Sequence, residues 1–293
     1  TRPRRPRGEL HHARLRLGCA AVRIATWNVN SLTAERIERV VGWLDIGEPD
    51  VLCLQETKQT DDAFPALDFH AKGYASVHHG EGRWNGVAIL SRVGLDDPVS
   101  GFADGEPADD EARLVTATCG GVRVSSVYVP NGRAVGHEQF EYKLRWLARL
   151  QSHLQADAPT PGSPALPKAV CGDFNVAPDD IDLWNPKAFE GSTHVTPEER
   201  AAVAELEVIG LRDVFREQYP QVEGLFSWWD YRAGNFHKHQ GMRIDLLLLS
   251  SDLADRVTWA LIDRNARKGQ KPSDHAPVFV DVDLDADPAG VTT

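Results

Sequence analysis

The chain has 293 residues, of which 42% are hydrophobic and 26% charged, which is typical of a soluble globular protein with one large α/β domain or two smaller ones. Its formal net charge of −11 argues against a protein that simply coats nucleic acid. It argues less against an enzyme that gathers carboxylates around a metal ion, because the ion supplies positive charge where a phosphate binds.

The composition also limits where the protein acts. No apolar run approaches the roughly 20 residues that a membrane-spanning helix needs, so we expect no membrane association. The four cysteines show no C-x-x-C pattern and no zinc spacing. Three of them lie in apolar, strand-like runs, which predicts buried thiols in a reducing compartment and hence a cytoplasmic protein.

The two ends of the chain differ in composition from the part between them. Residues 1–21 are rich in Arg and Pro without an apolar period, which predicts a disordered basic tail. Residues 22–284 carry the regular patterns and are predicted to form one domain. Residues 285–293 are predicted to be a loose C-terminal tail.

The first half of the domain alternates strands, helices and loops. Strands are predicted at 22–28, 51–55, 86–91, 113–118 and 122–129, the last two joined as a hairpin around Gly120-Gly121. Helices are predicted at 34–44 and 137–154 from their apolar spacing. Residues 80–86 are predicted to be a glycine-rich loop, and residues 93–111 a long acidic loop with turns.

The second half continues this pattern. Its predicted strands are a run ending at 169–171 and the segments 244–249, 257–263 and 278–282. Residues 158–167 contain too many prolines for regular structure. Thr196-Pro197 predicts the start of a helix that runs to about residue 209, because proline is favoured at the first helical position.

Polar side chains recur where these apolar strands end. They are Asn28, Glu56, Tyr128, Asp173, Asn175, Asp245, Asp274 and His275. Oxygen ligands select a hard cation such as Mg2+ or Mn2+ rather than zinc. A hard cation, a carboxylate that activates water and a histidine that contacts phosphate together suit hydrolysis of a phosphate ester.

Several of these residues, and two tryptophans of an aromatic cluster, also have a purely structural interpretation. Asp173 and Asn175 could form an Asx turn that closes a strand. His275 could be a turn histidine, and Glu56 a surface charge. Asp245 could form an ion pair with Arg243. Trp228 and Trp229 could be core residues. The combination of all of them favours the functional interpretation.

Eight segments in their order along the chain resemble the exonuclease III family of the exonuclease–endonuclease–phosphatase superfamily. They are Thr26-Trp-Asn-Val-Asn-Ser-Leu, Leu54-Gln-Glu-Thr-Lys, Trp84-Asn-Gly-Val-Ala-Ile-Leu, Tyr128-Val-Pro-Asn-Gly, Gly172-Asp-Phe-Asn, Phe226-Ser-Trp-Trp-Asp-Tyr-Arg, Gly241-Met-Arg-Ile-Asp-Leu-Leu-Leu and Pro272-Ser-Asp-His-Ala-Pro-Val. The resemblance implies a four-layer α-β-β-α sandwich of two packed, mostly antiparallel mixed sheets, as in DNase I-like proteins.

The resemblance also implies a role for individual residues. Glu56, Asn28 and Asp274 would hold the metal, with Asn30 as a further candidate, and Asp173, Asn175, His275, Tyr128 and Asp245 would carry the catalysis. In that set Asp173 activates water, and Asp245 holds a His275 that contacts the phosphate. Asn131, Trp228, Met242 and Arg113 would bind the substrate, with the loop at 83–85 as a weaker DNA contact.

The implied function is a Mg2+-dependent hydrolase of duplex DNA, with Mn2+ as a substitute ion. It would cut 5′ of abasic sites, degrade 3′ ends and remove 3′ blocking groups, acting as a monomer. One alternative is a small-molecule phosphoesterase of the same superfamily. A second is a DNA-binding module that keeps the fold but not the catalysis, although the full set of polar strand ends argues against it.

Overall fold

A computed structural model describes residues 21–156 and 165–285. Its strands are β1 (Ala21–Asn28), β2 (Val51–Gln55), β3 (Ala75–His79), β4 (Val87–Ser91), β5 (Asp96–Ser100), β6 (Leu114–Cys119), β7 (Val122–Tyr128), β8 (Lys168–Asp173), β9 (Leu211–Asp213), β10 (Asp245–Ser250), β11 (Val257–Ile262) and β12 (Val278–Asp283). Its helices are α1 (Ala34–Gly47), α2 (Ala66–His70), α3 (Glu138–Ala156), α4 (Pro197–Val208), α5 (Val214–Gln218), α6 (Asn235–Lys238) and α7 (Ser251–Ala254).

The strands form two six-stranded sheets, which we call sheet 1 and sheet 2. Sheet 1 has the order β11-β12-β1-β2-β4-β3, and sheet 2 has the order β5-β6-β7-β8-β10-β9. Within each sheet one central pair is parallel, β1 with β2 and β7 with β8. The other pairs are antiparallel. The predicted mixed, mostly antiparallel pairing is therefore confirmed.

Three apolar layers hold the sheets and helices together. Side chains of both sheets, such as Ile24 and Leu247, share the central layer. Trp43 and Leu44 of α1 pack on the outer face of sheet 1, and Trp146 of α3 packs on the outer face of sheet 2. This arrangement is the predicted four-layer sandwich, because strands that are apolar on both faces must be covered on both faces.

The prediction that residues 93–111 form a loop is wrong for Asp96–Ser100, which form β5. This strand carries two aspartates and a proline, a composition that disfavours strands. It lies at the edge of sheet 2, pairs only with β6 and contains a register shift between Asp96 and Val99. Edge strands tolerate charges, prolines and bulges because one side of the ladder needs no partner.

Other predictions concern residues that the structure does not describe. The N-terminal tail predicted at 1–21 lies outside the described residues except for Ala21, which begins β1. Cys19, most of the Pro-rich connection and most of the C-terminal tail also lie outside them, so the predicted domain limits stay predictions. Within the described residues, Cys53, Cys119 and Cys171 are free and buried, and no helix is long and apolar enough to cross a membrane.

Two glycines give a matched test of the packing. A Cβ at Gly172 would lie 1.9 Å from the backbone oxygen of Val127 on the paired strand, whereas a Cβ at Gly42 would meet nothing within 4 Å. We expect Gly172→Ala to lower the free energy of unfolding by about 3 kcal/mol, because backbone must move to admit the methyl group. We expect Gly42→Ala in α1 to raise it by about 1 kcal/mol through helix propensity. Urea unfolding of both variants measures this, and equal effects would contradict the packing described.

Candidate active site

The polar strand ends of the two sheets meet at one corner of the sandwich. In sheet 2, Asp173 lies opposite Asp245 in the antiparallel pair and beside Tyr128 in the parallel pair. In sheet 1, Asn28 ends β1 beside Gln55 of β2, and Glu56 follows directly. The packing of one sheet on the other therefore brings carboxylates of both sheets together.

Asn28 joins the two sheets through its side-chain amide. It is fully buried, and its Nδ2 donates to Glu56 Oε1 at 2.8 Å and to Asp173 Oδ2 at 2.8 Å. Its Oδ1 accepts from the backbone N–H of Asn30 at 2.9 Å, which fixes which way the amide faces. Hydrogen bonds to charged acceptors are stronger than neutral ones, so Asn28 holds both carboxylates in register.

The loop after β2 presents Glu56 in a left-handed backbone conformation, with φ 53°. Its carbonyl accepts from the N–H of Ser31, and the following Thr57 N–H donates to the carbonyl of Gly86. A Cβ at Gly86 would lie 2.1 Å from Thr57 Oγ1, so only glycine allows this approach. The glycine-rich loop predicted from the sequence thus supports the metal-competent carboxylate.

Asp173 is buried and organises the turn that follows it. Its Oδ1 accepts from the backbone N–H of Asn175 at 2.9 Å, which is the Asx turn that the structural interpretation predicts, so both interpretations of this pair describe the same geometry. Burial raises the pKa of Asp173 to about 7, the nearby Asp245 and Glu56 add to the rise, and His275 opposes it.

His275 lies between two carboxylates. Its Nδ1 is 2.8 Å from Asp245 Oδ2, and its Nε2 is 3.7 Å from Asp173 Oδ2. Burial alone would lower its pKa, but Asp245 and Asp173 outweigh burial and raise it to about 10. The two carboxylates therefore favour the protonated ring, whose Nδ1 donates to Asp245 and whose Nε2 lies near Asp173 without a hydrogen bond to it.

The alternative in which Asp245 pairs with Arg243 is not what the structure shows. The guanidinium of Arg243 contacts Asp182 at 2.6 Å and Asp213 at 2.7 Å instead. Asp245 is fully buried, and its backbone N–H donates to the Ser227 hydroxyl oxygen. Its side chain is therefore available to His275.

The residues of this corner fit a hard divalent cation. Glu56, Asp173 and His275 each offer one ligand atom, and these three atoms lie within 4.8 Å of one another. The two carboxylates suit Mg2+ or Mn2+, whereas a protonated His275 has no free nitrogen lone pair and leaves the ion to them. The group differs from the predicted ligand set of Glu56, Asn28 and Asp274.

The other two predicted metal ligands face the corner differently. Asn28 presents its nitrogen to the carboxylates, as described above. Asp274 accepts from Asn30 Nδ2 at 3.0 Å through Oδ1 and from Trp228 Nε1 at 3.1 Å through Oδ2. Their role as ligands stays a prediction.

Tyr128 and Arg113 lie together on sheet 2. Burial, followed by the charge of Glu56, raises the pKa of Tyr128 well above its usual range, so the phenol is a proton donor. The guanidinium of Arg113 lies 4.6 Å from the ring centroid of Tyr128 and donates to the Tyr128 carbonyl at 3.2 Å. Arg113 is only 7% exposed, which places it behind Tyr128, and its predicted DNA contact stays a prediction.

The predicted substrate-binding residues border the same corner. Asn131 is exposed and donates to Asn175 Oδ1 at 3.2 Å. Trp228 is partly buried, and its backbone pairs with that of Met242 and of His275. Met242 is only 2% exposed and belongs to the apolar cluster against which Trp228 packs. The roles of these residues in substrate binding stay predictions.

The chain matches the model of the Endonuclease/Exonuclease/phosphatase family over residues 25–275. It belongs to this family. It is 34% identical over 268 residues to an exodeoxyribonuclease of Bacillus subtilis, which covers 90% of this chain and 100% of that protein. The predicted resemblance to exonuclease III and the predicted enzyme class, a phosphodiester-hydrolysing nuclease, are therefore confirmed.

Two solved structures share the fold over nearly the whole chain. An AP endonuclease from Archaeoglobus fulgidus aligns with a TM-score of 0.84 and 37% identity, covering 90% of this chain and 100% of that one. The 3′ phosphatase NExo from Neisseria, bound to a product DNA hairpin, aligns with a TM-score of 0.85 and 36% identity over the same shares. The predicted fold class is confirmed.

Two residues near this site were not predicted from the sequence. Lys58 Nζ lies 2.8 Å from Glu56 Oε2 and 2.7 Å from Asn30 Oδ1. His194 contacts the backbone oxygen of Asn175 through Nδ1. Lys58 stands two positions after Glu56, a spacing that could have indicated it, but nothing in the local sequence distinguishes His194.

The pKa of Asp173 gives a stability prediction for the metal-free enzyme. Its folded-state pKa of about 7 lies above its ordinary 3.8, so ionisation of this group destabilises the fold as pH rises through that window. We expect Asp173→Asn to raise the melting temperature in chelator by several degrees at pH 8 and by much less at pH 5.

Asp68→Asn, at an exposed position of α2, is the matched control and is expected to change little at either pH. Saturating Mg2+ is expected to stabilise the wild type more than Asp173→Asn, because a ligand stabilises only the state that binds it. A gain of equal size at pH 5 and pH 8 would contradict the raised pKa.

Proposed function

We propose that this enzyme is a Mg2+-dependent DNA repair hydrolase that acts on duplex DNA. It would cut 5′ of abasic sites, degrade DNA from 3′ ends and remove 3′ phosphates, since each reaction breaks a phosphate ester at a 3′ oxygen. The observation that carries the proposal is the cluster of Glu56 with the buried Asp173 and His275. The activities named for its relatives in Bacillus subtilis, Archaeoglobus fulgidus and Neisseria support it.

In this proposal the carboxylates hold the ion. Glu56 is the principal ligand, with Asn28 and Asp274 beside it. The ion, when bound, supplies positive charge that neutralises the phosphoryl oxygens. This matters in a chain of net charge −11, where a phosphodiester would otherwise meet a repulsive surface.

Proton transfer falls to Asp173. Its Oδ1 is occupied by the N–H of Asn175, and its Oδ2 faces Asn28 and His275. A carboxylate poised near neutral pH is suited to accept a proton from water as the attack proceeds. Asn175, bound to both Asp173 and Asn131, orients the water or the phosphate.

The phosphate itself is bound by donors from three directions. The His275 imidazolium, held by Asp245 through Nδ1, donates from Nε2. The phenol of Tyr128 donates from the end of β7, and the amide of Asn131 donates from the loop that follows it. Positioned donors that face developing charge are worth far more in a buried site than in water.

The lesion would be recognised beside this group. Trp228 and Met242 form a partly apolar wall next to His275, suited to a flipped-out abasic sugar. The double-stranded DNA partner, the monomeric state and the cytoplasmic location belong to the same proposal. The small-molecule phosphoesterase alternative has no observation in its favour, and duplex DNA that competes with a generic phosphodiester for cleavage would exclude it.

A panel of three 5′-labelled duplexes separates the proposed activities. They carry an abasic-site analogue, a 3′ phosphate or an unmodified recessed 3′ end. We expect Mg2+-dependent product from each and none in chelator. One relative is named an AP endonuclease and another a 3′ phosphatase. The ratio of the cleavage rates on the three duplexes shows which reaction this enzyme favours. Cleavage of small phosphodiesters without any DNA cleavage would overturn the proposal.

Substitution of the proton-transfer and phosphate-binding groups tests their roles. We expect Asp173→Asn and His275→Ala each to lower kcat by on the order of 10³-fold, because both act on charge that develops in the transition state. DNA affinity is expected to stay within a few-fold for Asp173→Asn. Asp68→Asn and His70→Ala, both exposed in α2, are the matched controls. Full activity of either site variant would remove that residue from its role.

A further inference from the structure

A buried ion pair lies behind the active site, on the side away from the substrate. Lys143 of α3 and Glu199 of α4 are both fully buried, and Lys143 Nζ lies 2.5 Å from Glu199 Oε1. Burying two charges is costly unless further hydrogen bonds satisfy them. A pair in this position therefore requires an explanation beyond the packing of α3 on α4.

The Glu199 carboxylate is saturated with donors. Its Oε1 also accepts from Thr193 Oγ1 at 2.7 Å and from the His194 N–H at 2.9 Å. Its Oε2 accepts from the N–H and the hydroxyl of Thr196 at 3.1 and 2.9 Å. One carboxylate thus caps α4 and at the same time fixes the segment that precedes the helix.

The ammonium group extends this network to the active site. Lys143 Nζ donates to the backbone oxygen of Asn175 at 2.7 Å. His194 Nδ1 meets the same oxygen at 2.5 Å, so both lone pairs of this carbonyl are used. Asn175 has a left-handed φ of 51°, a conformation that asparagine adopts more readily than other non-glycine residues and that these two hydrogen bonds stabilise further.

The same lysine supports the neighbouring loop. A Cβ at Gly132 would lie 3.2 Å from Lys143 Cδ and 2.8 Å from Thr193 Oγ1. The Thr193 hydroxyl also lies within hydrogen-bond distance of the Asn131 carbonyl. Asn131 and Asn175, whose side chains are hydrogen-bonded to each other, therefore rest on one buried network.

We propose that Lys143 is a positioning residue for the reaction: its ammonium group, held by Glu199, fixes the backbone of Asn175 so that the carboxamide keeps its contacts with Val129, Asp173 and Asn131. Lys143 does not touch the substrate. The inference rests on the proposed function, in which Asn175 orients the water or the phosphate. It assigns a reason for the buried charge pair that helix packing alone does not supply.

The test is Lys143→Met, a substitution of similar length without the charge. We expect kcat on the 3′-phosphate duplex to fall by about tenfold or more with KM within a few-fold, because a small displacement of an orienting group acts on the transition state. Lys168→Met is the matched control. Lys168 also donates from Nζ to a backbone carbonyl, that of Leu154. It begins β8, whereas Asp173 ends that strand, so kcat of Lys168→Met is expected to stay unchanged.

A double-mutant cycle separates positioning from a general loss of structure. In an Asn175→Ala background, Lys143→Met is expected to lower kcat hardly further, because the carboxamide that it positions is already gone. Effects that multiply, or a folded Lys143→Met with wild-type kcat, would overturn the inference. If Lys143→Met does not fold, Glu199→Gln takes its place. It leaves Lys143 without a counter-ion and is expected to lower kcat several-fold, and an unchanged kcat would again overturn the inference.

Failure of the proposed function gives a different result. A wild type that cleaves bis(4-nitrophenyl) phosphate but no DNA still allows the same comparison of kcat values. A wild type that cleaves neither refutes the proposed function. The side-chain amide NMR signal of Asn175 then decides the positioning claim: we expect it to shift in Lys143→Met but not in Lys168→Met, and an unmoved signal would overturn the claim.

Discussion

Three carboxylates from two different sheets, Glu56, Asp173 and Asp245, share one corner of the sandwich. Two of them are almost fully buried, and such a concentration of negative charge would destabilise the fold if it were left uncompensated. The Asn28 amide offsets part of this repulsion by bonding to carboxylates of both sheets, and His275 does so by bonding to Asp245 and lying 3.7 Å from Asp173. In the proposed function a bound divalent cation completes the compensation, and the packing of the two sheets brings its proposed ligands together.

The same corner explains why the loops around it adopt unfavourable backbone conformations. Glu56 and Asn175 both have a left-handed φ, and each directs its side chain to the corner from a turn rather than from a regular strand. Gly86 and Ser31 hold the turn at Glu56, and Lys143 and His194 hold the turn at Asn175. Conformational cost at the site is offset by hydrogen bonds in the layer behind it.

The sequence predicted the central strands and the residues that end them, because burial on both faces gives an unbroken apolar run and polar residues stand out at its end. It did not predict β5, whose place at the sheet edge depends on pairing with β6 rather than on its own composition. Glu56, Asp173 and His275 were identified as single strand-end residues. Lys58 and Lys143 were not, because a lysine in a loop or on an amphipathic helix is ordinary in sequence, and only the folded chain shows what its ammonium group contacts.

The central claim is that the corner where Glu56, Asp173 and His275 meet holds a divalent cation, with Glu56 as its principal ligand. Electron paramagnetic resonance measures it most directly, because the signal of free Mn2+ is lost as the ion binds. Titration of the enzyme with Mn2+ is predicted to show binding in the wild type that Glu56→Ala lacks, while Glu138→Ala, at the first turn of α3, retains it. Equal binding by the wild type and Glu56→Ala would contradict the account.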